Sequence, residues 1–150
     1  MAKKKILLLS DDLRMSSGVG TMSREIVFGT VQKYDWVQVG GAIKHPDEGK
    51  FADISSEVQK ETDVDDASVK VYPVSGYGNE DIIRELLNRE EPDAILIYTD
   101  PRFWVWLFNI EHELRQQLPI FFYTIWDDLP FPMYNQWFYE SCDLKMAISK

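Results

Sequence analysis

Short, uninterrupted apolar runs alternate with segments of helical spacing along nearly the whole chain. "KILLLS" (Lys5 to Ser10), "AILIYT" (Ala94 to Thr99) and "IFFYTIW" (Ile120 to Trp126) have no polar alternation, the mark of strands buried on both faces. "WVQVGGAI" (Trp36 to Ile43), "SVKVYPV" (Ser68 to Val74, ended by Pro73) and the final "LKMAIS" complete the set. Between them, Val19 to Lys33 traces a helical face through Met22, Ile26, Val27, Thr30 and Val31. Asn79 is a natural N-cap for "EDIIRELLNREE", whose stripe is Ile82, Ile83, Leu86 and Leu87, with Pro92 and Asp93 as the stop. Further helices are expected from about Phe103 to Gln117 and around Tyr134 to Ser141. Parallel strands joined by helices form an open sheet covered on both faces. The expectation is an α/β fold: a doubly wound, Rossmann-like, mostly parallel sheet of about six strands. Lys44 to Ala67 is the exception, a polar and acidic stretch with at best a short helix near Asp53 to Glu61.

Composition narrows the function classes. The 150 residues suffice for one domain with a real core, and the sequence reads as a single Rossmann-like domain over residues 1–150. Sixteen basic against 25 acidic side chains leave a net charge of −9, a surface that repels phosphate backbones and argues against nucleic-acid binding. The single cysteine, Cys142, excludes an intramolecular disulfide and fits a reducing compartment. The apolar run in "MAKKKILLLSDD" is too short for a signal peptide, and no stretch is long enough to span a bilayer. A cytoplasmic protein is expected.

The stretch "SDDLRMSSGVGTMSREI" places two glycines at the mouth of a helix, beyond the carboxyl end of the first strand. Ligands of open parallel sheets bind in such places, where glycines admit an anion to backbone amides and the helix dipole favours it. A phosphate, a pyrophosphate or a sugar hydroxyl all suit that chemistry. The P-loop does not fit, because Thr21 and Met22 follow Gly20 where Lys and Ser or Thr are required. The dinucleotide fingerprint does not fit either: Ser23 stands at its third glycine, the approach from Ser10 to Gly18 is long, and Ala42, Ile43 and Lys44 replace the acid ending the second strand. No cofactor is therefore implied.

Other constellations carry less. Asp11 and Asp12 match the acid pair of a signalling receiver, but the third strand leads into "PVSGYGN" without an acid and the fifth into "TIWDD" without a lysine. Asp63 and Asp65 have the spacing of a metal–diphosphate grip, yet they sit in the charge run "KETDVDDAS", which reads as a solvated loop. His45 and His112 have no neighbouring ligand, so no metal site is expected. "FWVWLF" and "YNQWFY" carry aromatics on more than one helical face. They pack on the sheet or form an interface with another domain, a twin subunit or a membrane surface, the last disfavoured by the acidic balance.

Three segments together carry a resemblance: "KILLLSDDLRMSSGVGTMSREIV", "EEPDAILIYTDPRFW" and "PIFFYTIWDDLPFPMYNQWFYESCDLKMAISK". They resemble the N-terminal domain of a GT-B fold retaining glycosyltransferase of the phage and bacterial type, over essentially the whole chain. In that family a long loop with paired glycines follows the first strand, which accounts for the distance to Gly18. The resemblance implies an acceptor-side domain facing a C-terminal domain that holds a nucleotide-sugar donor. Carried over, Ser17, Gly18, Gly20 and Thr21 lie against the diphosphate or the acceptor, and Asp100 and Arg102 line the acceptor side. Trp126 and Asp127 fall where many members have His-Asp; Trp126 would replace the family's sugar-contacting histidine with a stacking surface. Tyr134 is a further candidate carbohydrate contact. The paired glutamates of the donor half have no counterpart, so the resemblance implies no catalytic residue here and a chain inactive without its C-terminal domain. The sequence stops at Lys150 directly after an apolar strand, where domains seldom end, which matches the first half of a longer enzyme. The alternative is a stand-alone Rossmann-like module that binds a nucleotide or phosphorylated ligand without catalysis.

Overall fold

The computed structural model describes residues 3–41, 51–124 and 136–147. The elements run β1 (Lys4–Asp11), α1 (Gly18–Phe28), β2 (Tyr34–Gly41), β3 (Ala52–Asp53), α2 (Ser55–Thr62), β4 (Val69–Pro73), α3 (Glu80–Glu90) and β5 (Ala94–Tyr98). A 3-10 turn (Pro101–Trp104), α4 (Val105–Asn109), α5 (Glu111–Arg115), β6 (Ile120–Thr124), α6 (Gln136–Glu140) and β7 (Leu144–Ala147) follow. Among the described residues, one sheet holds all seven strands in the order β3-β4-β2-β1-β5-β6-β7. Every pairing is parallel except that of β3 with β4. Taking the parallel strands alone in chain order, the sheet runs third, second, first, fourth, fifth, sixth, the Rossmann-like order.

The strand runs fold as their composition dictates. Leu7, Leu8 and Leu9 are all fully buried, Leu7 and Leu9 in one apolar cluster and Leu8 in another. Odd positions (Leu7, Leu9, Val37, Val39, Ile95, Ile97) join Ile83 and Leu86 of α3, Trp104, Leu107 of α4 and Leu114 of α5 in one core. On the opposite side Leu8, Trp36, Val69, Val71 and Leu96 pack with Val27 of α1, Val31 and Val58 of α2. α3 starts at its expected cap, Asn79, whose side chain accepts from the Ile82 N–H at 3.0 Å. It ends where Glu91 turns left-handed, φ 47°.

Four expectations need correction. The sheet has seven strands rather than about six, because β3 lies in the polar stretch and pairs Ala52 with Val71 and Asp53 with Lys70; two residues are too few to show a period. α1 stops at Phe28, with Gly29 as its C-cap, well short of Lys33. Its inward face is Gly20, Ser23 and Val27, while Met22 is exposed; close approach to the β1 end selects small residues over hydrophobic ones. The single helix from Phe103 to Gln117 is three short pieces, broken where Trp104 and Ile110 leave helical backbone angles (ψ 23° and 15°). The aromatics there point several ways: Trp104 is fully buried, Phe108 meets Phe138 edge-on at 4.6 Å, and Phe103 stays half exposed.

At the amino end of the strands, buried Glu90 gathers the Tyr72 hydroxyl (2.6 Å) and the ammonium groups of Lys70 (3.3 Å) and Lys5 (3.4 Å). Burial works to raise its pKa, but the Tyr72 hydrogen bond and the lysines outweigh that and hold it below the usual glutamate range. A lowered native pKa adds stability that is full above the unfolded pKa of about 4.3 and is lost as pH falls through the native value. Glu90→Gln should therefore flatten the acid limb of stability against pH. Urea midpoints measured from neutral pH down to about pH 3 check it.

Candidate functional site

The strand order reverses between β1 and β5, so their carboxyl ends leave a crevice that neither crossover covers. Three segments converge there: the β1–α1 loop, the β4–α3 loop around Tyr77, and the turn after β5.

The first loop is fixed from beneath. Gln38 of β2 is buried, and its amide donates to Ser10 Oγ and to the Asp11 carbonyl, both at 2.7 Å, while accepting from the Leu13 N–H at 3.0 Å. Ser23 of α1 donates to the same Ser10 hydroxyl at 3.0 Å. Asp12, with no exposed surface, takes the Arg14 guanidinium at 3.0 and 2.7 Å and the Arg14 N–H at 2.9 Å. Buried polar groups are tolerated when satisfied in this way.

Ser17 caps α1: its Oγ accepts from the Gly20 N–H at 2.9 Å and donates to Asp11 Oδ2 at 3.2 Å. The two glycines therefore differ in role. Gly18 is exposed, and a Cβ added there would meet nothing within 4 Å. Gly20 is buried, its N–H turned to Ser17, and a Cβ there would lie 2.8 Å from the Met15 carbonyl oxygen and 2.9 Å from that of Asp12. Thr21 is exposed on the first turn, its N–H bonded to the Ser17 carbonyl.

Asp11 Oδ1 accepts from the Tyr77 hydroxyl at 3.1 Å. Tyr77 is placed by backbone economy: Gly76 and Gly78 flank it at positive φ (63° and 82°), and a side chain at Gly41 would stand 2.7 Å from its ring. Burial first, then the Asp11 carboxylate, pushes the phenol up to about 12, so it stays a donor at neutral pH. Its ring stacks on Phe103 at 4.6 Å, 11° from parallel, and takes Trp104 edge-on at 5.4 Å. Asp100 follows β5 and caps the 3-10 turn, accepting from the Arg102 N–H at 3.0 Å and from its guanidinium. Burial raises the Asp100 pKa, and the Arg102 hydrogen bonds more than reverse it, leaving the carboxyl below its usual range.

The structure thus brings Ser17 together with Asp11 and Tyr77, and sets Asp100 within electrostatic reach of Tyr77. Trp126, Asp127 and Tyr134 lie outside the described residues. Tyr77 and Phe103 were not singled out as site residues in the sequence, although "SGYGN" carries the signal: two glycines bracketing one aromatic. Behind Tyr77, the indole N–H groups of Trp104 and Trp106 are buried without an acceptor among the described residues. An unmet buried donor costs about 1–3 kcal/mol. Elsewhere, Asp63 and Asp65 are exposed beside α2, and among the described residues no group of three or more His, Cys, Asp or Glu is placed to hold a metal. No helix among those residues is long and apolar enough to cross a membrane. A cavity of about 260 Å³ lies away from the crevice, between β4 and α3, walled by Phe51, Tyr72, Ile82 and Leu86.

Chemically the crevice is a hydrogen-bond acceptor surface beside an aromatic one. Its carboxylates, Asp11 and Asp100, favour hydroxyl donors, and the guanidiniums of Arg14 and Arg102 engage Asp12 and Asp100. Compared with known proteins, the chain matches no family model, and no curated protein or solved structure is significantly similar to it.

Proposed function

We propose that this chain is the acceptor-side domain of a GT-B glycosyltransferase, one wall of a cleft whose other wall, a C-terminal domain, holds a nucleotide sugar. In this reading the sheet is doubly wound, with α1 and α2 on one face and α3, α4 and α5 on the other. The observation that carries it is the convergence of Asp11, Ser17, Tyr77 and Asp100 at the reversal of strand order. A site for a phosphorylated ligand would present free cations. Here Arg14 and Arg102 are engaged by Asp12 and Asp100, and the Asp11 carboxylate suits the hydroxyls of an acceptor better than a diphosphate. The domain positions the acceptor; transfer requires the donor wall to exclude water and align the sugar.

Titration of the 150-residue chain with UDP-glucose and GDP-mannose should give no binding tighter than the millimolar range. Tight binding of either donor overturns the reading in favour of a stand-alone nucleotide-binding module. The encoding gene, read past Lys150, should continue into a second alternating α/β domain with two glutamates separated by seven residues.

A further inference from the structure

The two ends of the sheet are covered unequally on the face that carries α1. Leu8, Leu96, Phe121 and Leu144 lie in register as one row on that face, and Ser10, Tyr98, Tyr123 and Met146 form the next. Exposure climbs along each row with distance from α1. Leu8 and Ser10 are fully buried, Leu96 and Tyr98 nearly so, and Phe121 and Tyr123 partly; Leu144 and Met146 are 49 % and 37 % exposed. Among the described residues the helices that join this cluster are α1 and α2. α1 sits over β1, where the Ser23 hydroxyl meets that of Ser10 at 3.0 Å.

The flanks of α1 show which way the gap lies. On one flank Arg24 reaches Glu61 of α2. The other flank, Val19, Met22 and Ile26 at helical spacing, therefore turns toward β5 and β6. Val19 and Ile26 are partly buried and Met22 is exposed. They wall a groove floored by β5, β6 and β7, and none of the side chains named on wall or floor carries a charge. Its width is that of one helix. Strands lie roughly 4.8 Å apart, which puts β6 about 10 Å from β1, and packed helices lie about 8–10 Å apart, axis to axis. A helix laid beside α1 thus sits over β6 and covers Phe121, Tyr123, Leu144 and Met146 together. A second copy of the chain fits poorly: the floor measures roughly 10 by 15 Å, against about 800 Å² per partner in a stable interface, and α1 stands beside it as a ridge.

We propose that this groove docks one amphipathic α-helix of a partner polypeptide, its apolar stripe on the sheet and lysines or arginines along its flanks. The charge of the partner follows from the net −9 of this chain and from Glu25, exposed at the rim between Met22 and Ile26. The groove lies on a face of the sheet and not at the strand ends, so the proposal does not rest on the acceptor-side reading.

Three fluorescent peptides of about 14 residues, titrated with the 150-residue chain and followed by anisotropy, test it. The first sets leucines at helical spacing among lysines, the second has the same composition with its leucines scattered, and the third carries glutamate for lysine. The first should bind at micromolar concentration and the others at least about tenfold more weakly. Met22→Gln combined with Met146→Gln changes no charge and should weaken the first peptide about tenfold. Trp137→Ala should leave it unchanged, since α6 packs on the opposite face through Tyr139. If the double variant does not fold by circular dichroism, Met22→Gln alone, on exposed helix surface, replaces it with an expected loss of about threefold. The proposal is overturned if the first peptide does not bind, if either other peptide binds as well, if the double variant binds like the parent, or if Trp137→Ala loses as much. Sedimentation of the chain alone should show a monomer; a dimer that the double variant dissolves gives the groove to a second copy and overturns the proposal too.

Discussion

Alanine at Gly20 is expected to lower stability by about 3 kcal/mol, near the upper end of what overpacking costs. The added methyl meets two backbone carbonyl oxygens, of Met15 and Asp12, at 2.8 and 2.9 Å, so no side-chain rotation relieves it. Either α1 withdraws from the end of β1, uncovering Val27 and Ser23, or the β1–α1 loop shifts and breaks the Asp12 hydrogen bonds. Gly18→Ala is the control. It has open space around it and helical backbone, so it should be neutral or stabilising by up to about 1 kcal/mol. Urea unfolding with an unchanged slope measures both. Equal effects at the two glycines would mean that α1 does not approach β1 as closely as described.

The second large effect is expected at Gln38→Leu. The leucine fits the volume and suits a strand interior, yet it removes three hydrogen bonds at once, strands the Leu13 N–H in a buried place and leaves the Asp11 carbonyl to the Ser10 hydroxyl alone. The cost should be about 2–4 kcal/mol, more than a single neutral hydrogen bond contributes, because unmet buried groups carry their full desolvation penalty. Amide exchange should separate this from general weakening. The Leu13 N–H should lose protection more than those of β5, since Gln38 anchors the loop and not the sheet.

Much of the fold was legible because double burial writes itself into composition. Strands such as β1 and β5 have nowhere to place a polar side chain, so Leu7 to Leu9 and Ala94 to Tyr98 announce themselves. What stayed hidden follows from effects that hydrophobicity does not encode. α1 turned small residues inward because distance to the backbone, not apolarity, ruled that face. The Phe103 to Gln117 segment broke because residues apolar on every side do not fix one helical face, and Trp104 and Ile110 took the breaks. In the crevice, the long loop ending at Ser17 was visible as a loop in the right place. Gln38 was not, since one polar residue within "WVQVGG" looks like ordinary strand alternation. Tyr77 was visible only through its neighbours, the two glycines whose backbone angles hold it.

The seam between β1 and β5 also governs how the molecule comes into being. Across it the Lys5 N–H reaches the Asp93 carboxylate, 88 residues away in the chain. The central strand therefore waits, during synthesis, for most of the polypeptide to emerge before its second neighbour exists, and closing so long a loop is slow. The crevice is born at that closing step. A molecule lodged in it touches early and late parts of the chain together, so it clasps the two halves and resists unfolding of the whole domain at once.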